Sequence, residues 1–73
     1  MSIEEKKAER IRNYERYRVY ADAKGLCDYQ ISQKTELNPT VFSDWKSGKS
    51  QPKIDKLLKI ASYLETTVEK LIG

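Results

Sequence analysis

The stretch that decides the fold is DYQISQKTELNPTVFSDWKSG, residues 28–48. Asn38 is a good N-cap, because its short side chain accepts a hydrogen bond from a backbone N–H of the first turn. Pro39 fits the first helical position, where its missing N–H costs nothing. A helix therefore starts at Pro39. Val41, Phe42 and Trp45 recur at i, i+1 and i+4, which makes one buried face, and Gly48 stops the helix. Upstream, Asp28 to Thr35 reads as a second short helix. Asp28 caps or starts it, Ile31 points inward, and Ser32 is small enough for a close helix–helix approach. The two helices are joined by a tight turn, Glu36-Leu37-Asn38. Such a pair crosses at a steep angle and exposes the first turn of its second helix.

Working outward, Ile3 to Lys24 lacks glycine and proline. Ser2 followed by Glu4 and Glu5 is a helix start, a capping side chain and then acids at the positive dipole end. Ile11, Tyr14, Tyr17 and Ala21 recur at helical spacing with Tyr20 beside them. That spacing assigns the tyrosines to packing, against a stacking platform for single strands. Gly25 closes the helix in a left-handed cap. Residues 1–12 carry little apolar surface, so they are expected as a charged extension of helix 1 or as a disordered segment, with the domain proper over 13–73. On the other side, Ser50-Gln51-Pro52 is a loop. Ile54, Leu57, Leu58, Ala61 and Leu64 predict an amphipathic fourth helix, with Lys53, Lys56 and Lys59 as a solubilising outer face. Thr67 as N-cap and Lys70 at N3 open a short fifth helix whose inner edge is Val68, Leu71 and Ile72. There is no strand pattern. The expected class is all-α, a compact cluster of five helices.

The chain has 73 residues, which fits one domain. Its net charge of +3 and pI of about 9.0 lean towards a polyanionic partner. One cysteine and no histidine exclude an internal disulfide and a zinc site. Cys27 has no sequence neighbour that would activate it, so it reads as quiet. No apolar run is long enough to span a bilayer, and the N-terminus is charged, unlike a signal peptide. The expected location is the cytoplasm. An enzyme is not expected: there is no histidine, no metal cluster and no phosphate-cradling glycine loop. Neither a cofactor nor a small-molecule ligand is expected.

From Lys24 onward the chain resembles the Cro/repressor-type, or XRE-like, helix-turn-helix family. Lys24-Gly25-Leu26 is similar to the family's approach to helix 2, and Ile31-Ser32 to its apolar-then-small pair. Val41 to Lys49 resembles the reading helix and its glycine turn. Pro52 with Leu57, Leu58, Ile60 and Ala61 resembles helix 4, and Leu71-Ile72-Gly73 the usual end. The likeness covers about fifty residues without a gap. It implies a lambda-repressor-like five-helix domain that binds double-stranded DNA sequence-specifically. The implied role is a bacterial or phage transcriptional regulator, a repressor reading the major groove with the helix around 39–47, and a homodimer on two half-sites. This chain departs from the family at five positions. Glu36 and Glu65 stand where glycine is usual, and glutamate is costly in a left-handed conformation, so both turns are expected to differ in shape. Asp28 stands where a phosphate-binding glutamine is common. Ala21 and Lys46 replace an arginine–glutamate pair.

Carried onto this chain, the resemblance places Pro39, Thr40 and Asp44 against the bases, Pro39 offering only an apolar edge, with Ser43 beside them. Lys46, Ser47 and Lys49 flank the helix end, where phosphates run. Asp28 and Tyr29 at the start of helix 2 and Asn38 in the turn complete the DNA face, with Gln30 within phosphate reach. Trp45 is assigned to the core, touching helices 2 and 4. The competing function is a protein-interaction module, an antirepressor or adaptor that kept the fold with weak DNA affinity. The acids Asp28, Glu36 and Asp44 speak for it.

Overall fold

Capping chemistry sets the helix bounds in the computed structural model, which describes residues 2–73. Ser2 Oγ accepts a hydrogen bond from the Glu5 N–H at 3.1 Å and opens α1, Ile3–Ala23. Gly25 follows it with a φ of 68°. α2 covers Asp28–Thr35, and its N-cap is Cys27. The Gln30 side chain accepts from the Cys27 N–H at 2.9 Å, so Asp28 starts the helix while its carboxylate is free for another task. Asn38 Oδ1 accepts from the Thr40 N–H at 2.9 Å and opens α3, Pro39–Ser47. α4 is Ile54–Tyr63. Thr67 Oγ1 accepts from the Lys70 N–H at 3.2 Å and opens α5, Val68–Ile72. The described residues form five helices and no strand, the expected all-α class. Among the described residues, no helix is long and apolar enough to cross a membrane.

The helices close a ring of packing. α1 rests on α3 and α5, α2 on α3 and α4, and α4 on α5. Trp45, Tyr17, Phe42, Ile31 and Ile60 fill the centre and are essentially inaccessible to solvent. The ring partners of Trp45 come from α1, an element that sequence spacing did not pair with it. Tyr17 lies 5.0 Å away between ring centroids and Tyr14 meets it edge-on at 5.8 Å. Both separations favour aromatic attraction beyond area burial.

Helical periodicity misplaces part of α4. Ile54 and Leu58 were expected inside, yet they are 59% and 57% exposed. The buried stripe is Leu57, Ile60, Ala61 and Leu64. Both sets satisfy a 3.6-residue repeat, and only the positions of α2 and α5 decide which one is covered.

The two glutamate turns also correct the expectation. Neither turn changes shape. Glu36 adopts φ 60° and Glu65 φ 58°, the left-handed geometry a glycine would take. The reason is the hydrogen bonding of the turn. Leu37 N–H donates to Ser32 O and Thr66 N–H to Ala61 O, each at 2.9 Å, which satisfies helix-end carbonyls that would otherwise stay unpaired. The strain stays in the glutamate backbone, at about 1–2 kcal/mol per residue. Glycine removes it but adds about 0.5–1 kcal/mol of unfolded-state entropy. Glu36→Gly and Glu65→Gly are each expected to raise the unfolding free energy by about 0.5–1 kcal/mol. Lower melting temperatures for the glycine variants would refute the strain argument.

Candidate nucleic-acid interface

α3 is divided lengthwise. Phe42 and Trp45 are buried, whereas Pro39, Thr40, Ser43, Lys46 and Ser47 are exposed on the other side. Asp44 is half-buried. The first turn of α3 is open to solvent, and the Asn38 cap uses only its carbonyl oxygen, leaving an exposed amide donor beside Thr40. A shallow groove runs along this end of the helix, lined by Asn38, Thr40, Asp44, Gln51, Lys53 and Lys56. It brings two lysines of the α4 region up to Asp44. Periodicity alone assigns Lys53 and Lys56 to a solubilising face, so sequence reasoning misses this placement. Their positive charge shares this groove with the Asp44 carboxylate.

The other end of α3 is held by α1. Gly48 has φ 80°, and the Lys49 and Ser50 N–H groups both donate to Asp44 O. Arg10 donates to Gly48 O at 3.3 Å and to Lys49 O at 3.2 Å. A guanidinium at a helix C-terminus pairs orphan carbonyls and suits the negative dipole end. Asn13 Nδ2 donates to Gln51 Oε1 at 2.8 Å. Together they fix the loop that carries Lys49. Gly48 is required twice over, because a Cβ there would also lie 2.5 Å from Lys7 Cγ and 3.0 Å from Lys7 O. Lys46 and Lys49 are exposed on either side of this turn, and Ser47 Oγ donates back to Asp44 O at 3.0 Å. Arg10 and Gln51 are the further residues that sequence reasoning missed. The one available signal was Arg10 standing a helical turn before Tyr14 on the inward stripe.

The start of α2 is split. Tyr29 is exposed, and its hydroxyl accepts from Gln33 Nε2 at 2.8 Å. Asp28 answers inward, unlike the other residues expected on this face. Tyr14 and Tyr17 donate their hydroxyls to it, the latter at 2.8 Å, and Arg18 donates a guanidinium N–H at 2.8 Å. Burial, and then the hydrogen bond to this carboxylate, hold both tyrosine hydroxyls well above the ordinary tyrosine pKa.

The surface therefore gathers Asn38, Pro39, Thr40, Ser43 and Asp44 at one end of α3, and Lys46, Ser47 and Lys49 at the other. Tyr29 flanks them, and Asp28 lies beneath. A family model described as Cro/C1-type HTH DNA-binding domain matches residues 16–73. No curated protein and no solved structure matches the chain.

Proposed function

The chain belongs to the Cro/C1-type helix-turn-helix DNA-binding domain family, and from that premise we propose that it is a sequence-specific transcriptional regulator, a cytoplasmic repressor that occupies an operator. The observation that carries this reading is the lengthwise division of α3, with its large apolar side chains buried and Pro39, Thr40 and Ser43 free at its open end. A helix fits the major groove, and residues of its first turns reach base edges. Pro39 offers an apolar edge to a thymine methyl, and the Thr40 hydroxyl can donate or accept. Lys46 and Lys49 serve the phosphates and fix the docking register. Two copies on half-sites one helical turn apart complete the footprint. The protein-interaction reading loses one of its three supports, because Arg18 and two tyrosines occupy the Asp28 carboxylate.

The test is selection of bound sequences from a random duplex pool, with binding measured over a range of salt. A consensus and a steep salt slope are expected, and Lys49→Ala should lower that slope by about one unit per protomer. Binding with no salt dependence would favour the protein-interaction module. Asp44→Asn probes readout. A carboxylate in the major groove has one good partner, the cytosine amino group, whereas an amide suits adenine. The variant should bind random DNA more tightly and shift its preference towards adenine at one position, by about 1–3 kcal/mol of relative discrimination. An unchanged preference at every position would remove Asp44 from the reading surface.

A further inference from the structure

α1 is longer than the fold needs. Twenty-one residues span about 31 Å at the helical rise. That accounts for nearly all of the molecule's 33 Å long axis. The family match begins only at residue 16. Every residue from Ser2 to Glu9 is exposed, and Ile3 is 85% exposed, so the first turns of α1 add no buried core.

The helical phase of this overhang is not random. Successive residues turn by about 100°. Ile3, Lys6, Lys7 and Arg10 continue the stripe that Tyr14, Tyr17 and Ala21 present to the core further along. Glu4 and Glu5 fall on other sides of the helix. The stripe is thus basic where it leaves the core, and it leaves the core at the C-terminal turn of α3. Lys7 packs against Gly48, Arg10 bonds the Gly48 and Lys49 carbonyls, and a groove is lined by Lys6, Glu9, Arg10, Ser50 and Gln51. Neither Lys6 nor Lys7 forms an ion pair among the described residues. Lys6 and Lys7 thus lie beside the loop that carries Lys49, with Glu9 as the acid lining the same groove, and extend the basic surface of that loop towards a polyanion.

We propose that the first turns of α1 are a second phosphate-binding element, in which Lys6 and Lys7 hold the DNA backbone as it runs past the α3–α4 loop. This rests on the DNA-binding reading of α3. The element touches no base edge. It adds sequence-independent affinity on the outer side of the Lys49 contact and lengthens the protected flank of the site.

The experiment compares the full chain with Lys6→Ala/Lys7→Ala and with Arg12→Ala on one selected duplex, over a range of salt. Arg12 is exposed on the far side of the helix, so it controls for loss of positive charge. The double variant is expected to lower the slope of log K against log salt by about one to two units and to keep the parental consensus. Arg12→Ala should leave the slope as it is. A parental slope in the double variant overturns the proposal while leaving the role of α3 intact. So does an equal fall with Arg12→Ala, which would mean that only net charge matters. If the parent chain itself shows no salt-dependent duplex binding, the reading of α3 fails first and this element falls with it.

Discussion

Trp45→Ala is expected to lower the unfolding free energy by about 3–5 kcal/mol, much of what a small domain possesses. Trp45 is fully buried and lies where α1 and α3 meet, against the rings of Tyr14 and Tyr17. Truncation removes the transfer energy of the indole and leaves a cavity that rigid neighbours cannot fill. It also removes two favourable aromatic geometries, each contributing about 0.5–1.5 kcal/mol. One term acts the other way. The indole N–H is buried with no protein partner among the described residues, a penalty that truncation removes. Trp45→Phe relieves that penalty and keeps a ring against α1, so it should be clearly milder than Trp45→Ala. Denaturant unfolding of both variants measures the difference. For a domain this size, 3 kcal/mol corresponds to a fall in melting temperature of more than about 12 °C. An alanine variant that melts within a few degrees of the parent would show that the helix phase of α3 is wrong, and the assignment of its exposed face with it.

The helix bounds were legible because the chain punctuates them with residues that have few other uses. Ser2, Gly25, Asn38-Pro39 and Gly48 each mark a boundary that the structure keeps. The exposed face of α3 was legible too, since the phase of Phe42 and Trp45 fixes where Thr40 and Ser43 point. What failed was whatever depends on a neighbour distant in sequence. The α4 stripe could be chosen only by knowing where α2 and α5 lie. Glu36 and Glu65 could be flagged as anomalies, but hydrogen bonds of the residues that follow them decide that the backbone takes the strain. Lys53 and Lys56 look like any solvent-facing lysines until the α3–α4 loop folds them beside Asp44. The Asp28 cluster was the least legible, because it joins side chains on separate helices.

That cluster supports the second large effect: Asp28→Ala should destabilise the protein by about 2–3 kcal/mol. The carboxylate joins α2 to α1 through three donors, and its removal leaves two tyrosine hydroxyls and a guanidinium without their acceptor. A fully buried ion pair would cost more to break, but the Asp28 side chain keeps 26% of its exposure, so water replaces part of the loss. Asp28→Asn keeps an acceptor for one hydroxyl and loses the attraction to Arg18, so it should fall between parent and alanine. The alkaline limb separates this role from simple packing. Burial, and then the bond to Asp28, raise the pKa of the Tyr14 and Tyr17 hydroxyls in the folded state. Below the ordinary tyrosine value of about 10, both folded and unfolded chains hold these protons and the stability is fully present. Above it, the unfolded chain releases protons that the folded chain retains. Stability is then lost, at up to about 1.4 kcal/mol per pH unit for each tyrosine. Removing Asp28 takes away the second cause of the raised values, so the variant should start lower and, once the pH nears its own reduced folded-state values, decline less steeply than the parent. The difference between the two curves isolates what Asp28 contributes through the two tyrosines. Parallel curves would mean that burial alone holds the hydroxyls. A variant as stable as the parent would mean that Asp28 does not tie α2, and the α3 that packs on it, to the long helix.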